Sequence, residues 1–172
     1  MPLFSTDKFQ IEIERNWKNI YNISETVIPP DEREVAAMID QIMEYNKKFV
    51  ENKGYEPFLT SKYPDKKLAI LTCMDTRLIE LLPAALGIKN GDAKIIKNAG
   101  GTMVHPYGSV VRSLLVGILE LGVEEVMVIG HTDCGVQGMD GKEMLELLEK
   151  RGIDKQHIDI VRHSGINLEN WL

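Results

Sequence analysis

A chain of 172 residues with 44% hydrophobic content can build one compact domain with its own core and is too short for two ordinary ones. Its formal net charge is −6 and its Lys and Arg residues are scattered, so no basic face exists to neutralise a phosphate backbone and nucleic acid is not an expected partner. No apolar run approaches the roughly 20 residues that span a bilayer and residues 1–10 lack the apolar core of a leader, so no membrane partner is expected and the expected location is cytoplasmic.

Residues 1–30 read as an N-terminal arm or extension, in which Phe9, Ile11 and Ile13 alternate with Gln10, Glu12 and Glu14 as a short half-buried strand would. Pro29 and Pro30 interrupt the chain, and residues 31–172 are expected to form a single domain. Asp31 followed by Glu34 has the spacing of a capping box. From there Val35, Met38, Ile39, Ile42, Met43, Phe49 and Val50 predict an amphipathic helix that ends near Gly54. Leu68-Ala69-Ile70-Leu71 is a continuous apolar run of the length of a strand buried on both faces, and it delivers the chain to Cys73. A helix from about Arg77 to Leu86 closed by Gly87 follows, then an Asn90-Gly91-Asp92 turn and a second strand at Ala93 to Lys97.

Ser109 to Leu121 reads as a helix that is apolar almost all round, to be deeply buried or placed in a subunit interface, with Gly122 as its terminator. Val126-Met127-Val128-Ile129 predicts a third buried strand, leading to His131 and Cys134. A helix from about Lys142 to Arg151 precedes a fourth strand expected at Ile158 to Val161. Strands alternating with helices predict an α/β fold with a mostly parallel central sheet of about four strands, flanked by helices and joined by right-handed crossovers.

Two clusters stand at the carboxyl ends of predicted strands: Cys73-Met74-Asp75-Thr76-Arg77 after the first and His131-Thr132-Asp133-Cys134-Gly135 after the third. In open parallel sheets that edge is where ligands bind, above all where neighbouring strands send their chains in opposite directions. If the first and third strands are neighbours, with the second outside the first, Cys73, His131 and Cys134 converge on one point. Two thiolates and an imidazole are a catalytic zinc set that leaves a fourth tetrahedral position for water or substrate. Taken singly, each of the three is more simply a small core residue or a satisfied polar one; together at two strand ends they would require three independent accidents.

Cys73-x-Asp75-x-Arg77 with His131-x-x-Cys134 resembles the paired zinc motifs of β-class carbonic anhydrases, and the likeness extends to Asn98-Ala99-Gly100-Gly101 and covers the chain from about Ile39 to Trp171. The resemblance implies a sheet in the order 2-1-3-4, one Zn2+ per chain on Cys73, His131 and Cys134, and attack of zinc-bound hydroxide on carbon dioxide to give bicarbonate and a proton. It implies two jobs for Asp75: bonding Arg77 in the active form, or taking the fourth zinc position in a closed form. Asn98, Gly100 and Gly101 become candidates for substrate binding, since glycines at a strand end let backbone amides approach a small anion. His105 is a candidate proton shuttle; His157 and His163 have no assigned role.

The family also implies a homodimer or a higher homo-oligomer. Its members ordinarily continue beyond the point reached at Asn170-Trp171-Leu172, through another helix and an edge strand, so the expected edge needs cover from the N-terminal arm or from a partner subunit. Two other functions fit the same residues. One is hydrolysis of carbonyl sulfide or carbon disulfide; the other is a catalytically silent zinc module in which Asp75 permanently closes the coordination sphere.

Overall fold

The structure, a computed structural model, describes residues 32–163, and the side chains within that range at 37–160 and 163. The expected strand at Phe9 to Ile13 and the capping box at Asp31 lie outside these residues. The chain divides into two compact units, one of residues 1–59 with 147–158 and the other of residues 60–146 with 159–172.

The first unit contains helix α1, Glu32–Glu51, the amphipathic element expected from its apolar spacing. It ends three residues before Gly54, and its last turns carry Tyr45 and Phe49, which stack with ring centroids 6.5 Å apart. Phe58, in a short 3-10 turn at Glu56–Phe58, extends the aromatic group to a third ring.

The second unit is built on three parallel strands, β1 (Leu68–Cys73), β2 (Ala93–Asn98) and β3 (Glu125–Ile129), in the order β2-β1-β3. Cys73 pairs with Asn98 on one side, and Thr72 with Ile129 on the other. The central strand is buried from Ala69 to Cys73, with Ile70 and Leu71 fully enclosed, each contributing about 1.5–3 kcal/mol by its removal from water. Thr72 is equally buried and is satisfied by donating from Oγ1 to the carbonyl of Ile129 at 2.9 Å, a bond that ties β1 to β3.

Each face of the sheet has its own core. Ile70, Cys73, Leu78 and Leu82 cluster on one, and Ala69, Leu114 and Val123 on the other. Helix α2, Leu81–Leu86, supplies Leu82 to the first and is closed by Gly87 in the left-handed conformation. Helix α3, Ser109–Glu120, supplies Leu114 to the second; its Leu115, Val116, Ile118 and Leu119 stay exposed in the single chain.

Three expectations are corrected. The stretch from Arg77 to Leu86 is two pieces, a 3-10 turn at Thr76–Leu78 and then α2, because the Asp75 carboxylate accepts the Arg77 backbone N–H and winds the chain tightly there. Strand β3, read as buried, is exposed at Val126, Met127 and Val128, since it is an edge strand among the described residues. The fourth strand at Ile158 to Val161 is helical: after α4, Gly141–Lys150, comes α5, Lys155–His163. Asp154 starts α5 by accepting the Gln156 N–H at 2.9 Å, and Ile158 is buried while Ile160 is exposed, where a strand would put both on one side. The sheet therefore has three described strands, and the expected order 2-1-3-4 holds as far as 2-1-3.

Candidate metal centre

Both chemistry-bearing clusters sit at the carboxyl end of the sheet, on loops that leave the adjacent strands β1 and β3. Strand β2 lies outside β1, so the chain changes direction between the two clusters, which is the arrangement expected of a binding edge. The sulfur atoms of Cys73 and Cys134 and a ring nitrogen of His131 lie within 4.8 Å of one another, a group able to hold a metal ion. The two sulfurs are 3.7 Å apart and no disulfide joins them.

His131 Nδ1 donates to the Thr132 carbonyl at 2.9 Å, which leaves the Nε2 lone pair directed elsewhere. Nε2 is buried and has no hydrogen-bond partner among the described residues. A buried polar atom left in that state costs about 1–3 kcal/mol unless something coordinates it. The site fits a soft divalent metal on this ground as well as by donor type: two sulfurs and one imidazole nitrogen are the ligands zinc takes.

Electrostatics favour the same use. Burial pushes the Cys73 thiol up, but the His131 ring, the backbone of Asp75 and Gly100, and the Cys134 thiol outweigh it, and the pKa falls to about 7. The Cys73 thiol in turn raises the His131 pKa, against the effect of desolvation.

Asp75 faces this group, with Oδ2 4.0 Å from His131 Nε2. Arg77 holds it from three donors: the backbone N–H and Nε reach Oδ1 at 2.9 Å each, and Nη2 reaches Oδ2 at 2.8 Å. The same hydrogen bonds hold the Asp75 carboxyl far below the usual carboxylate range and raise the Arg77 guanidinium above its usual one. Apolar side chains line the cleft beside these residues: Met74, Ala99, Val136, Met139 and Met144.

The Asn98–Gly101 loop supports the cysteine. Asn98 commits both ends of its amide to Thr102, with Nδ2 donating to the carbonyl at 2.6 Å and Oδ1 accepting the N–H at 3.0 Å. Gly100 and Gly101 have φ of 74° and 66°, and a Cβ on Gly101 would lie 2.9 Å from the Thr72 carbonyl carbon and 3.0 Å from the Cys73 nitrogen. This loop therefore passes directly against the backbone that presents Cys73.

His105 is exposed, and its Nδ1 accepts the Tyr107 N–H at 3.2 Å; it does not line the cleft. His163 Nδ1 bonds the Asp159 carbonyl within α5. Three participants escaped the sequence reading. Asp133 binds Arg77 through both its carboxylate and its carbonyl, and Met139 and Met144 enter the cleft from beyond the zinc motif. No spacing rule marks any of them; only the position of Asp133 between two candidate ligands hinted at its place.

The profile of the carbonic anhydrase family matches residues 68–164. YtiB of Bacillus subtilis strain 168, which bears a provisional carbonic anhydrase name, is 50% identical over 135 residues, covering 78% of this chain and 72% of that protein. The carbon disulfide hydrolase of Saccharolobus solfataricus is 36% identical over 96 residues, covering 56% of this chain and 45% of its own. The crystal structure of β-carbonic anhydrase isoform I of Trichomonas vaginalis matches with a TM-score of 0.65 at 35% identity, over 77% of this chain and 71% of that one. With the sheet order, the paired motifs and these relatives in agreement, the chain belongs to the β-class carbonic anhydrase family.

Proposed function

We infer that the protein hydrates carbon dioxide to bicarbonate and a proton, with one zinc ion held by Cys73, His131 and Cys134. The observation that carries this reading is the buried, unpartnered Nε2 of His131 beside two sulfurs at a strand-end cleft. When bound, zinc supplies the Lewis acidity that lets a water ionise and attack carbon dioxide near neutral pH. Cys73 favours that binding because its thiol already ionises near pH 7. The Thr132 carbonyl fixes the His131 tautomer that offers Nε2 as a ligand.

Asp75 orients the attacking water by accepting its hydrogen bond, and Arg77 keeps the carboxylate ionised and engaged in bonds that compete with its binding the metal. The apolar wall of Met74, Met139 and Met144 suits an uncharged linear substrate. That Arg77 takes three bonds to Asp75 supports the catalytic reading over the silent, Asp75-closed module.

The test is stopped-flow carbon dioxide hydration on protein of measured zinc content. Turnover proportional to zinc supports the assignment; fully loaded protein without turnover refutes it. The methionine wall and the similarity to the Saccharolobus protein favour carbon disulfide or carbonyl sulfide as a second reading, and hydrogen sulfide release from either gas by the same preparation distinguishes it.

The exposed apolar residues of α3 and of β3 support a homodimer, because apolar side chains exposed in this number call for cover. Sedimentation at micromolar concentration checks this: a stable monomer overturns it.

A further inference from the structure

Arg77 is used on two separate edges. Its Nε–Nη2 edge faces Asp75, and its outer edge faces Asp133, with Nη1 on Oδ2 at 3.0 Å and Nη2 on the backbone carbonyl at 2.8 Å. Because the guanidinium is planar and rigid, bonds to the second edge fix the direction of the first. The contacts to Asp75 all come from within one turn, whereas those to Asp133 cross from the Cys73 loop to the loop carrying His131 and Cys134. Asp133 reaches this position with φ of 54°, a left-handed conformation that aspartate tolerates better than most residues.

We propose that Asp133 is a positioning residue: by clamping the outer edge of Arg77 it keeps Asp75 from closing the metal position. The proposal rests on the zinc reading of this site. An ordinary surface ion pair would explain why the Asp133 side chain is 87% exposed, but not why its carbonyl and carboxylate both meet one guanidinium. Loss of the carboxylate leaves only the carbonyl on the outer edge, so Arg77 holds Asp75 less firmly and the carboxylate competes for the fourth coordination position.

Four variants separate the backbone from the side chain, the Asp75→Ala single variant serving as the reference for the double one. Asp133→Asn keeps an acceptor and tolerates left-handed backbone; Asp133→Gly keeps only the backbone freedom; and Asp75→Ala/Asp133→Gly removes the competing carboxylate too. Each is loaded with cobalt, its metal content and cobalt–thiolate absorption are recorded, and azide is titrated into the open position. Asp133→Gly should bind azide about two- to fivefold more weakly than wild type, the size expected of an exposed charged pair. Asp133→Asn should recover most of that affinity, and the double variant should bind at least as tightly as the Asp75→Ala single variant.

Wild-type azide affinity in Asp133→Gly, or a loss in it that Asp75→Ala does not relieve, overturns the proposal. If wild type itself shows no cobalt–thiolate absorption, the zinc reading fails first.

Discussion

Gly101→Ala tests whether the glycine loop supports Cys73. Two costs are worked from the structure. With φ of 66° an added Cβ meets the left-handed steric penalty, roughly 1–2 kcal/mol. The methyl also lies 2.9 to 3.1 Å from three backbone atoms of Thr72 and Cys73, and backbone cannot swing aside as a side chain can, so overpacking adds roughly 1–3 kcal/mol. The sum, roughly 2–5 kcal/mol, is a large part of the 5–15 kcal/mol that ordinarily holds a folded protein together. Gly138→Ala is the matched control: φ is 76° there and nothing lies within 4 Å of the added carbon, so only the first cost applies.

At roughly 2–4 °C per kcal/mol for a chain of this size, Gly101→Ala should melt about 4–20 °C below wild type and Gly138→Ala about 2–8 °C below. Thermal unfolding of zinc-free, reduced protein at one fixed concentration measures both. Because Ile70 and Leu71 are locked in the core, the strain should emerge at Cys73, and a chelator competition should show weaker zinc binding in Gly101→Ala alone. Equal melting temperatures and equal zinc affinities in the two variants would refute the reasoning.

Arg77→Ala should keep its zinc while hydration falls steeply, and Asp75→Asn should keep zinc with turnover down by about 10–100-fold; metal analysis beside stopped-flow rates checks both, and full activity in the pair would make it an ordinary ion pair. The Asp75 carboxyl is depressed in the folded state, so its stabilising effect is complete above the ordinary carboxylate value near ~3.9 and is lost as pH falls through the folded value. In zinc-free protein the stability gap between wild type and Asp75→Asn should therefore be flat above about pH 5 and shrink in more acid solution; a gap unchanged by acid would contradict the ion pair. With zinc stripped, the Cys73 and Cys134 sulfurs, 3.7 Å apart, should be joined by diamide, which takes up the two thiol hydrogens. Zinc-loaded protein should resist the same treatment in a free-thiol titration.

The sequence made the central strand legible because Leu68 to Leu71 is apolar without alternation, as a strand covered on both faces requires. The convergence of Cys73, His131 and Cys134 followed once β1 and β3 were neighbours, since both clusters then share one sheet edge. At Ile158 to Val161 the same reasoning failed: three apolar residues broken by Asp159 are too short a pattern to separate the two periods, and the arbitrating signal was the cap at Asp154. Strand β3 looked equally buried in sequence, yet its exposure depends on what pairs with its edge, which local pattern does not encode.

The least legible part of the site is what joins its two halves. Among the described residues, the Cys73 loop and the His131–Cys134 loop are tied by the Thr72 hydroxyl on the Ile129 carbonyl and by Arg77 on Asp133. Both ties are made by protein groups alone. A zinc site assembled only by its ion must order its ligands at the moment of binding, and that conformational cost lowers the apparent affinity. Here Thr72 fixes the strand ends and Arg77 fixes the loops above them, so bonds within the protein share in holding the ligand atoms within 4.8 Å of one another. The same guanidinium that restrains Asp75 thus restrains the loop bearing two of the three ligands, which makes metal affinity and the openness of the fourth position depend on one side chain. Substitutions at Arg77 should then lower zinc affinity without emptying the site, and should also close the fourth position, while substitutions at Asp75 should move the second property alone.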